Sequence, residues 1–348
     1  MAASTRATMR DVAALAGVST KTVSNVVTGV VPVNTDTRAR VEAAMTQLDF
    51  VPNLSARGLR NGRTGMIAVA LPYLDTAFSA ELLHRIVEAA HARGLAVQIE
   101  ETGAQPGREQ GLLSRARAHL VDGLILNPIR LEDSVITHAD RLPPVVLIGE
   151  VEKADADHVG IDSVAAAADI TRHLLAQGAT RIAVIGGDDD ASTATATSRL
   201  RLLGVHRALD EAGLPHDPRL EVDHVEWTMA GGADAAERLL ARGTPFDAVL
   251  AFTDSLAAGA LHALHAHGIR VPDDVLVSGF DNVELSQFTS PPLSTVEIDL
   301  AMFAESAVEL LVARIADREG AAQQVAVPYR LVLRESTSAR PAGHTPPA

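Results

Sequence analysis

Cysteine is absent from the 348 residues, which excludes disulfides, thiol catalysis and Cys-ligated zinc and agrees with a reducing compartment. Also missing is any run approaching the roughly eighteen uninterrupted apolar residues of a membrane span, although 47% of the chain is hydrophobic. The first residues, MAASTRATMRDVAALAG, contain no apolar signal-peptide core with a cleavage site. These absences together predict a cytoplasmic protein with no membrane partner. No arrangement of nucleophile, base and orienting residue is visible, so no enzyme is predicted. His262, His265 and His267 lie close in sequence but without other converging ligands, and a solvated helix face explains them better than a metal. Gly186-Gly187 is followed by Asp188-Asp189-Asp190, whose carboxylates would repel the phosphate that a Gly-rich loop cradles. Neither a metal nor a cofactor is therefore expected.

What is present divides unevenly along the chain. The length exceeds one ordinary compact core and points to two or three domains. A net charge of −14 argues against a nucleic-acid partner until it is split. Residues 1–63 carry eight Lys/Arg against four acids, or +4, which leaves 22 basic and 40 acidic residues, or −18, for the rest. A basic head on an acidic body is the pattern of a DNA-facing module attached to a part that phosphates repel.

Periodicity predicts three short helices in that head. Met9, Val12, Ala13 and Ala16 share one helical face. Gly17 ends the first helix, Val18 packs inward, and Ser19 suits the cap of the next. The second runs from Thr20 to about Thr28, turning Val23, Val26 and Val27 inward and Lys21, Thr22, Ser24 and Asn25 outward. A third, capped by Asn34 or Thr35, is expected to bury Val41, Ala44, Met45 and Leu48. A helix, a Gly-containing turn and a helix with polar side chains at its start form the helix-turn-helix pattern, which seats the second helix in a major groove. The segment from Pro52 to Arg63 follows as a linker. Asn53 can cap a helix there, but the stretch is too short to be stable alone, and Gly58 weakens it by about 1 kcal/mol relative to Ala.

DVAALAGVSTKTVSNVV, TRARVEAAM and VPNLSARGLRNGRTGMIAV resemble the LacI/GalR family of bacterial transcription regulators, and the likeness extends to about residue 335. The resemblance implies base-reading positions at Thr20, Lys21 and Asn25, with Ser19, Thr22, Ser24, Thr28 and Thr37 near phosphates. It implies that the linker folds in the minor groove, placing Asn53, Ala56, Arg57 and Leu59 on the DNA, with Leu59 wedged between base steps. Most members carry Arg where this chain has Asn25. Because Arg suits the N7/O6 edge of guanine and Asn the N6/N7 edge of adenine, the operator is expected to depart from the usual consensus at that base.

Beyond Thr64 the pattern changes to strand-length apolar runs: MIAVALP (66–72), LAVQIEE (95–101), GLILNP (123–128), PVVLIGE (144–150), RIAVIGG (181–187), AVLAFTD (248–254) and VLVSGFD (275–281). Amphipathic segments such as Ala80–Arg93 and Ser163–Gln177 separate them. Continuous apolar strands alternating with helices predict an α/β body of parallel sheets buried on both faces. The expected architecture is an all-α helix-turn-helix head plus a two-lobed, periplasmic-binding-protein-like sensor with doubly wound parallel sheets. Its predicted boundaries are 1–50 for the head, 51–63 for the hinge, 64–338 for the effector-binding and dimerising body, and 339–348 for a disordered tail. Within the body, lobe 1 is assigned about 64–163 and 294–325, and lobe 2 about 164–293 and 326–338, closing with a strand over Tyr329–Glu335. The tail has no apolar heptads for a tetramer-forming bundle, so the expected assembly is a homodimer.

Ligands of open α/β sheets bind at the carboxyl ends of the strands, and here those ends are polar. The resemblance marks Arg201 as an effector contact, Asp281 as an acceptor for paired hydroxyls, and Trp227, the only tryptophan, as a stacking ring. Tyr73, Phe78, Asn127, Phe252 and Thr253 complete the candidate pocket, Thr253 departing from the Asn or Ser-type residue expected there. The implied partners are double-stranded operator DNA and a small-molecule effector, a sugar or sugar derivative, with a purine or nucleoside as the alternative. A transport protein of the same body fold would lack the DNA head.

Overall fold

The structure is a computed structural model that describes residues 7–28, 31–50, 63–103, 105–117, 120–128, 143–151, 156–188 and 195–338. The hinge residues Asn53, Ala56, Arg57 and Leu59 and the tail 339–348 lie outside the described residues. The chain separates into two units, Met1–Thr64 and Gly65–Ala348.

The first unit holds α1 (Met9–Ala16), α2 (Thr20–Thr28) and α3 (Thr35–Gln47). Thr8 caps α1 in a reciprocal capping box with Asp11, satisfying donors that a helix start leaves open. Gly17 closes α1 in the left-handed region at φ 65°, a conformation that a Cβ would penalise. Ser19 Oγ accepts the Thr22 N–H at 3.1 Å, and Asn34 accepts that of Asp36 at 2.9 Å. A small core of Val12, Ala13, Ala16, Val23, Val26, Val41 and Ala44 holds the three helices together. Met9 is exposed and Met45 and Leu48 are half-buried, less covered than helical periodicity predicts. Among the described residues of this unit, three short helices leave the ends of α1 and α3 with few neighbours to bury them.

The second unit opens with β1 (Met66–Leu71), α4 (Ala77–Ala92), β2 (Ala96–Glu101), α5 (Pro106–Arg117), β3 (Gly123–Leu126), β4 (Val145–Ile148) and β5 (Asp157–Gly160). It continues with α6 (Ser163–Ala176), β6 (Ile182–Ile185), α7 (Ala196–Glu211), β7 (Glu221–Val222), α8 (Met229–Arg242), β8 (Ala248–Ala251), α9 (Asp254–Ala266) and β9 (Leu276–Ser278). The last elements are β10 (Thr295–Ile298), α10 (Leu300–Ala316), β11 (Gln324–Ala326) and β12 (Tyr329–Val332).

Two parallel sheets define two lobes. Lobe 1 is six-stranded in the order β11-β5-β4-β3-β1-β2, and lobe 2 four-stranded in the order β7-β6-β8-β9. β3, β4, β6 and β8 are buried throughout, as helices on both faces require. β2 is half exposed, with three of its six residues open to solvent and none fully buried, because an edge strand has cover on fewer sides than its apolar sequence suggests. The chain crosses between lobes repeatedly. After β9 it runs beside lobe 2 through bridges Ser278 to Ser294 and Asp281 to Glu297, and α10 then packs on α4, β3, β4 and β5 of lobe 1. β11 pairs with β5, and β12 pairs antiparallel with β10. The expected strand Tyr329–Glu335 stops at Val332, and Glu335–Thr337 form a 3-10 turn. β5, β7, β10 and β11 are too short or too mixed in composition to announce themselves as apolar runs.

Helices α8 and α9 touch backbone to backbone. A Cβ on Gly259 would lie 2.0 Å from the Met229 carbonyl oxygen, and one on Gly232 2.2 Å from that of Leu256. Gly259→Ala is therefore expected to lower unfolding free energy by about 1–3 kcal/mol, read from urea denaturation. Gly111→Ala, where nothing stands within 4 Å, should instead stabilise α5 by about 0.5–1 kcal/mol.

Candidate functional site

In the head, α2 presents Thr20 and Lys21 to solvent, while Thr22, Ser24 and Asn25 are half-buried. Ser19 and Thr22 are linked by a 2.9 Å hydrogen bond between their hydroxyls, so the capping residue also fixes a neighbouring donor. Thr28 ends the helix and Thr37 is half-buried in the first turn of α3. The outer face of α2 is thus short, polar and hydrogen-bonding.

In the body, a cavity of about 380 Å3 lies where the two lobes meet, at the carboxyl ends of their strands. It is lined from lobe 1 by Pro72, Tyr73, Thr76, Phe78, Ser79, Leu82, Asn127, Pro128, Gly149 and Glu150. Lobe 2 and the crossing segments supply Thr195, Thr197, Arg201, Trp227, Thr253, Ser255, Asp281 and Ile298, and α10, packed on lobe 1, supplies Phe303. Seven of the eight residues expected in the pocket meet here. Phe252 does not: its ring is fully buried in the core, and its contribution is a backbone carbonyl that accepts from Arg201 Nη1. It ends an apolar strand, and the alternation at that end turns its side chain away from the cavity.

Arg201 is the centre of the site. It is 3% exposed and sits on α7, whose N-terminus Thr195 caps by accepting the Ser198 N–H at 3.0 Å. Its Nη2 donates to Glu150 Oε1 at 2.8 Å, its Nη1 stands 3.7 Å from Asp281 Oδ1, and its guanidinium carbon lies 3.6 Å from the centroid of the Phe280 ring, within cation–π range. Among the described residues, the buried Nε has no hydrogen-bond partner. Glu150, on lobe 1, also accepts from Ser163 Oγ at 2.7 Å and Thr197 Oγ1 at 2.9 Å, and so ties the two lobes together. The run PVVLIGE (144–150) ends at Glu150 but gives it no role, and the pairing across lobes becomes visible only in three dimensions.

The charges here are held away from their ordinary ranges. Burial alone would raise Glu150, but the Arg201 charge and the hydrogen bonds from Ser163, Arg201 and Thr197 outweigh it and hold the carboxyl below its usual range. Burial pushes Asp281 well above the usual carboxylate range against the pull of Arg201, with Asp254, Glu150 and Glu81 adding like-charge repulsion. Asp281 also holds a φ of 106°, which a non-glycine residue adopts only under constraint. Its N–H donates to the Val296 carbonyl at 2.8 Å. Gly149, at φ 88°, leaves room for Asn127, since a Cβ there would stand 2.9 Å from Asn127 Oδ1. Thr253 Oγ1 caps α9 by accepting the Leu256 N–H at 3.2 Å. Trp227 is half-buried and packs against two hydrophobic clusters, one of lobe 2 alone and one that lobe 1 and lobe 2 residues share. Among the described residues no cluster of His, Asp and Glu is arranged to hold a metal ion.

Behind the cavity Asp254, 1% exposed, accepts from Thr295 Oγ1 at 2.6 Å and the Val283 N–H at 2.9 Å. Burial pushes it up to about 7, against the hydrogen bonds of Thr295 and Val283 and the charges of Arg334 and Arg201. Unfolded, the group releases its proton near 3.8. Between these values the native state binds more protons than the unfolded one, so this contribution to stability falls as pH rises through the window and is flat above it. The isosteric Asp254→Asn should lack that component. Subtracting the variant's denaturation profile from the wild type's should leave a curve that declines from about pH 4 to about pH 7, and a flat difference would contradict it.

A helix-turn-helix unit joined to a two-lobed body with a polar, arginine-centred cleft defines a DNA-binding regulator with a ligand-sensing domain. A profile of bacterial regulatory proteins of the lacI family matches residues 8–53, and one of periplasmic binding protein-like domains matches residues 171–337. The chain is 32% identical to the HTH-type transcriptional regulator DegA of Bacillus subtilis strain 168 over 338 residues, covering 96% of this chain and 98% of that one. The lac repressor dimer bound to operator and the anti-inducer ONPF superposes with a TM-score of 0.81 at 27% identity, over 96% of this chain and 99% of that one. The CelR–cellobiose complex does so with a TM-score of 0.70 at 29% identity, over 95% and 100%. The chain belongs to the LacI family: it is a DNA-binding transcriptional regulator and not an enzyme. Among the described residues, no helix is long and apolar enough to cross a membrane.

Proposed function

We propose that this chain is a cytoplasmic repressor that binds a palindromic operator as a homodimer, with operator affinity set by a sugar-like effector in the cleft between its lobes. The observation that carries this reading is Arg201, which a lobe 1 carboxylate and a lobe 2 carboxylate flank inside a cavity formed by both lobes. A planar guanidinium fork beside a carboxylate at a strand end suits neighbouring hydroxyls, and the rings of Trp227, Tyr73, Phe78 and Phe303 offer apolar faces to a sugar ring. The likeness to a protein solved with cellobiose supports a carbohydrate, and the likeness to a repressor solved as a dimer on its operator supports the assembly.

One head offers a single recognition helix of nine residues, so specific binding needs two heads on two half-sites. In this reading Thr20, Lys21 and Asn25 read bases, while Ser19, Thr22, Ser24, Thr28 and Thr37 approach phosphates. The hinge residues Asn53, Ala56, Arg57 and Leu59 enter the minor groove. Lobe 1 (64–163 and 294–325) and lobe 2 (164–293 and 326–338) then transmit the ligand signal to the hinge at 51–63. A coupling of the usual size, about 1–3 kcal/mol, changes operator affinity roughly 5- to 150-fold. Thermal-shift screening of sugars and nucleosides, followed by gel shifts on the upstream DNA with and without the hits, tests the reading. It fails if no compound that occupies the cleft changes operator affinity. A nucleoside is the second reading, favoured by the half-buried Trp227 ring, and the same screen separates the two.

Asn25→Arg should move the preferred base at its contact from adenine to guanine. The discrimination gained or lost is about 1–3 kcal/mol, read by binding-site selection with both proteins. An unchanged selected site would remove Asn25 from the reading set.

A further inference from the structure

We propose that the cleft accepts an uncharged, hydroxyl-rich effector and rejects the phosphorylated or carboxylated counterpart of the same molecule. The proposal rests on reading the cleft as the effector site and adds the charge class of its occupant. An anion buried in the cavity needs positive charge that the protein has not already offset. Among the described residues lining the cavity, Arg201 is the only basic side chain, and its guanidinium is committed. Nη2 is taken by Glu150, Nη1 by the Phe252 carbonyl, and one face by the Phe280 ring.

The charge of Arg201 is offset as well, by the Glu150 carboxylate at 2.8 Å and the Asp281 carboxyl 3.7 Å from Nη1, so an incoming phosphate or carboxylate meets little net positive charge. Glu150 cannot readily swing aside to free Nη2, because Ser163 and Thr197 also hold it. An anionic group placed near Arg201 would therefore sit beside the Glu150 carboxylate, with no second basic side chain among the described lining residues to offset the repulsion. The other polar lining, including Thr76, Ser79, Thr195, Ser255 and Asn127, both donates and accepts, which matches hydroxyl groups. Like-charge juxtaposition of this kind weakens binding by roughly a hundredfold or more.

The sole tryptophan lines the cavity, so its emission reports occupancy in the full-length protein. Inorganic phosphate titrated into the wild type is expected to give no saturable change in that emission. Glu150→Gln removes the carboxylate charge while keeping an oxygen that can accept from Nη2, leaves the Arg201 charge without its closest counter-ion, and should acquire a saturable response to phosphate at millimolar concentration. The double variant with Arg201→Met should lose that response again. A wild-type response equal to that of Glu150→Gln overturns the proposal, as does a folded Glu150→Gln protein with no response. Circular dichroism establishes folding; should Glu150→Gln fail it, Asp281→Asn replaces it, with the same gain expected and its absence equally fatal. Failure of the cleft reading itself is a different result: uncharged compounds that leave both the emission and operator binding unchanged.

Discussion

Arg201→Ala is expected to cost the body on the order of 3–5 kcal/mol and to abolish the ligand response. Breaking a buried ion pair by removing one partner leaves the other charge uncompensated, and that is the origin of the magnitude. Here two carboxyls lose their partner: Glu150, hydrogen-bonded to Arg201 at 2.8 Å, and Asp281, 3.7 Å away. Ser163 and Thr197 still donate to Glu150, which places the cost within that range and not beyond it. Against a typical total of about 5–15 kcal/mol, the loss is large enough to read directly from denaturant unfolding followed through Trp227. Arg201→Lys should fall between, since an ammonium keeps the charge but cannot span Glu150 and the Phe252 carbonyl with a planar fork. A fully stable Arg201→Ala protein that still releases operator on effector addition would refute the central role given to this residue.

Val23→Asp should eliminate specific operator binding while leaving ligand binding by the body intact. Val23 is fully buried in a core of only seven residues, and no partner for a carboxylate lies among them. An isolated buried charge is not tolerated, so the three-helix unit is expected to unfold. The body draws on separate hydrophobic clusters, and its melting transition should be unchanged. Val23→Ala, which keeps the packing apolar, should cost only part of the head's stability and weaken binding modestly. Gel shifts on operator and on an unrelated duplex, paired with calorimetry, provide the measurement. Specific binding by a Val23→Asp protein would mean that α2 is not positioned by this core.

The head was readable from sequence because its signals are local. A Gly in the left-handed region at Gly17, caps at Ser19 and Asn34, and valines at helical spacing in α2 each act within a few residues. The central strands were readable for a related reason, since helices on both faces make them continuously apolar. Where burial depends on distant neighbours, local pattern misleads: β2 is apolar in sequence yet half exposed at a sheet edge, and Phe252 is aromatic at a strand end yet points into the core. Glu150 is the instructive omission. Nothing within its own segment connects it to Arg201, fifty-one residues away, and only the meeting of the two lobes makes it a ligand of the guanidinium. β5 and β11 escape for the same reason, because each is a short mixed strand defined by its partner.

The glycine contacts between α8 and α9 bear on how a message leaves the cleft. Gly232 and Gly259 seat one main chain directly on the other, and Gly204 does the same for α7 against α6, where a Cβ would stand 2.3 Å from the Val164 carbonyl oxygen. Where the backbones meet at these glycines there is no side chain between them to repack. Lobe 2 is then expected to answer an occupant more by pivoting as a piece than by repacking within itself, which would carry a change at Arg201 or Asp281 to the segments that cross between the lobes.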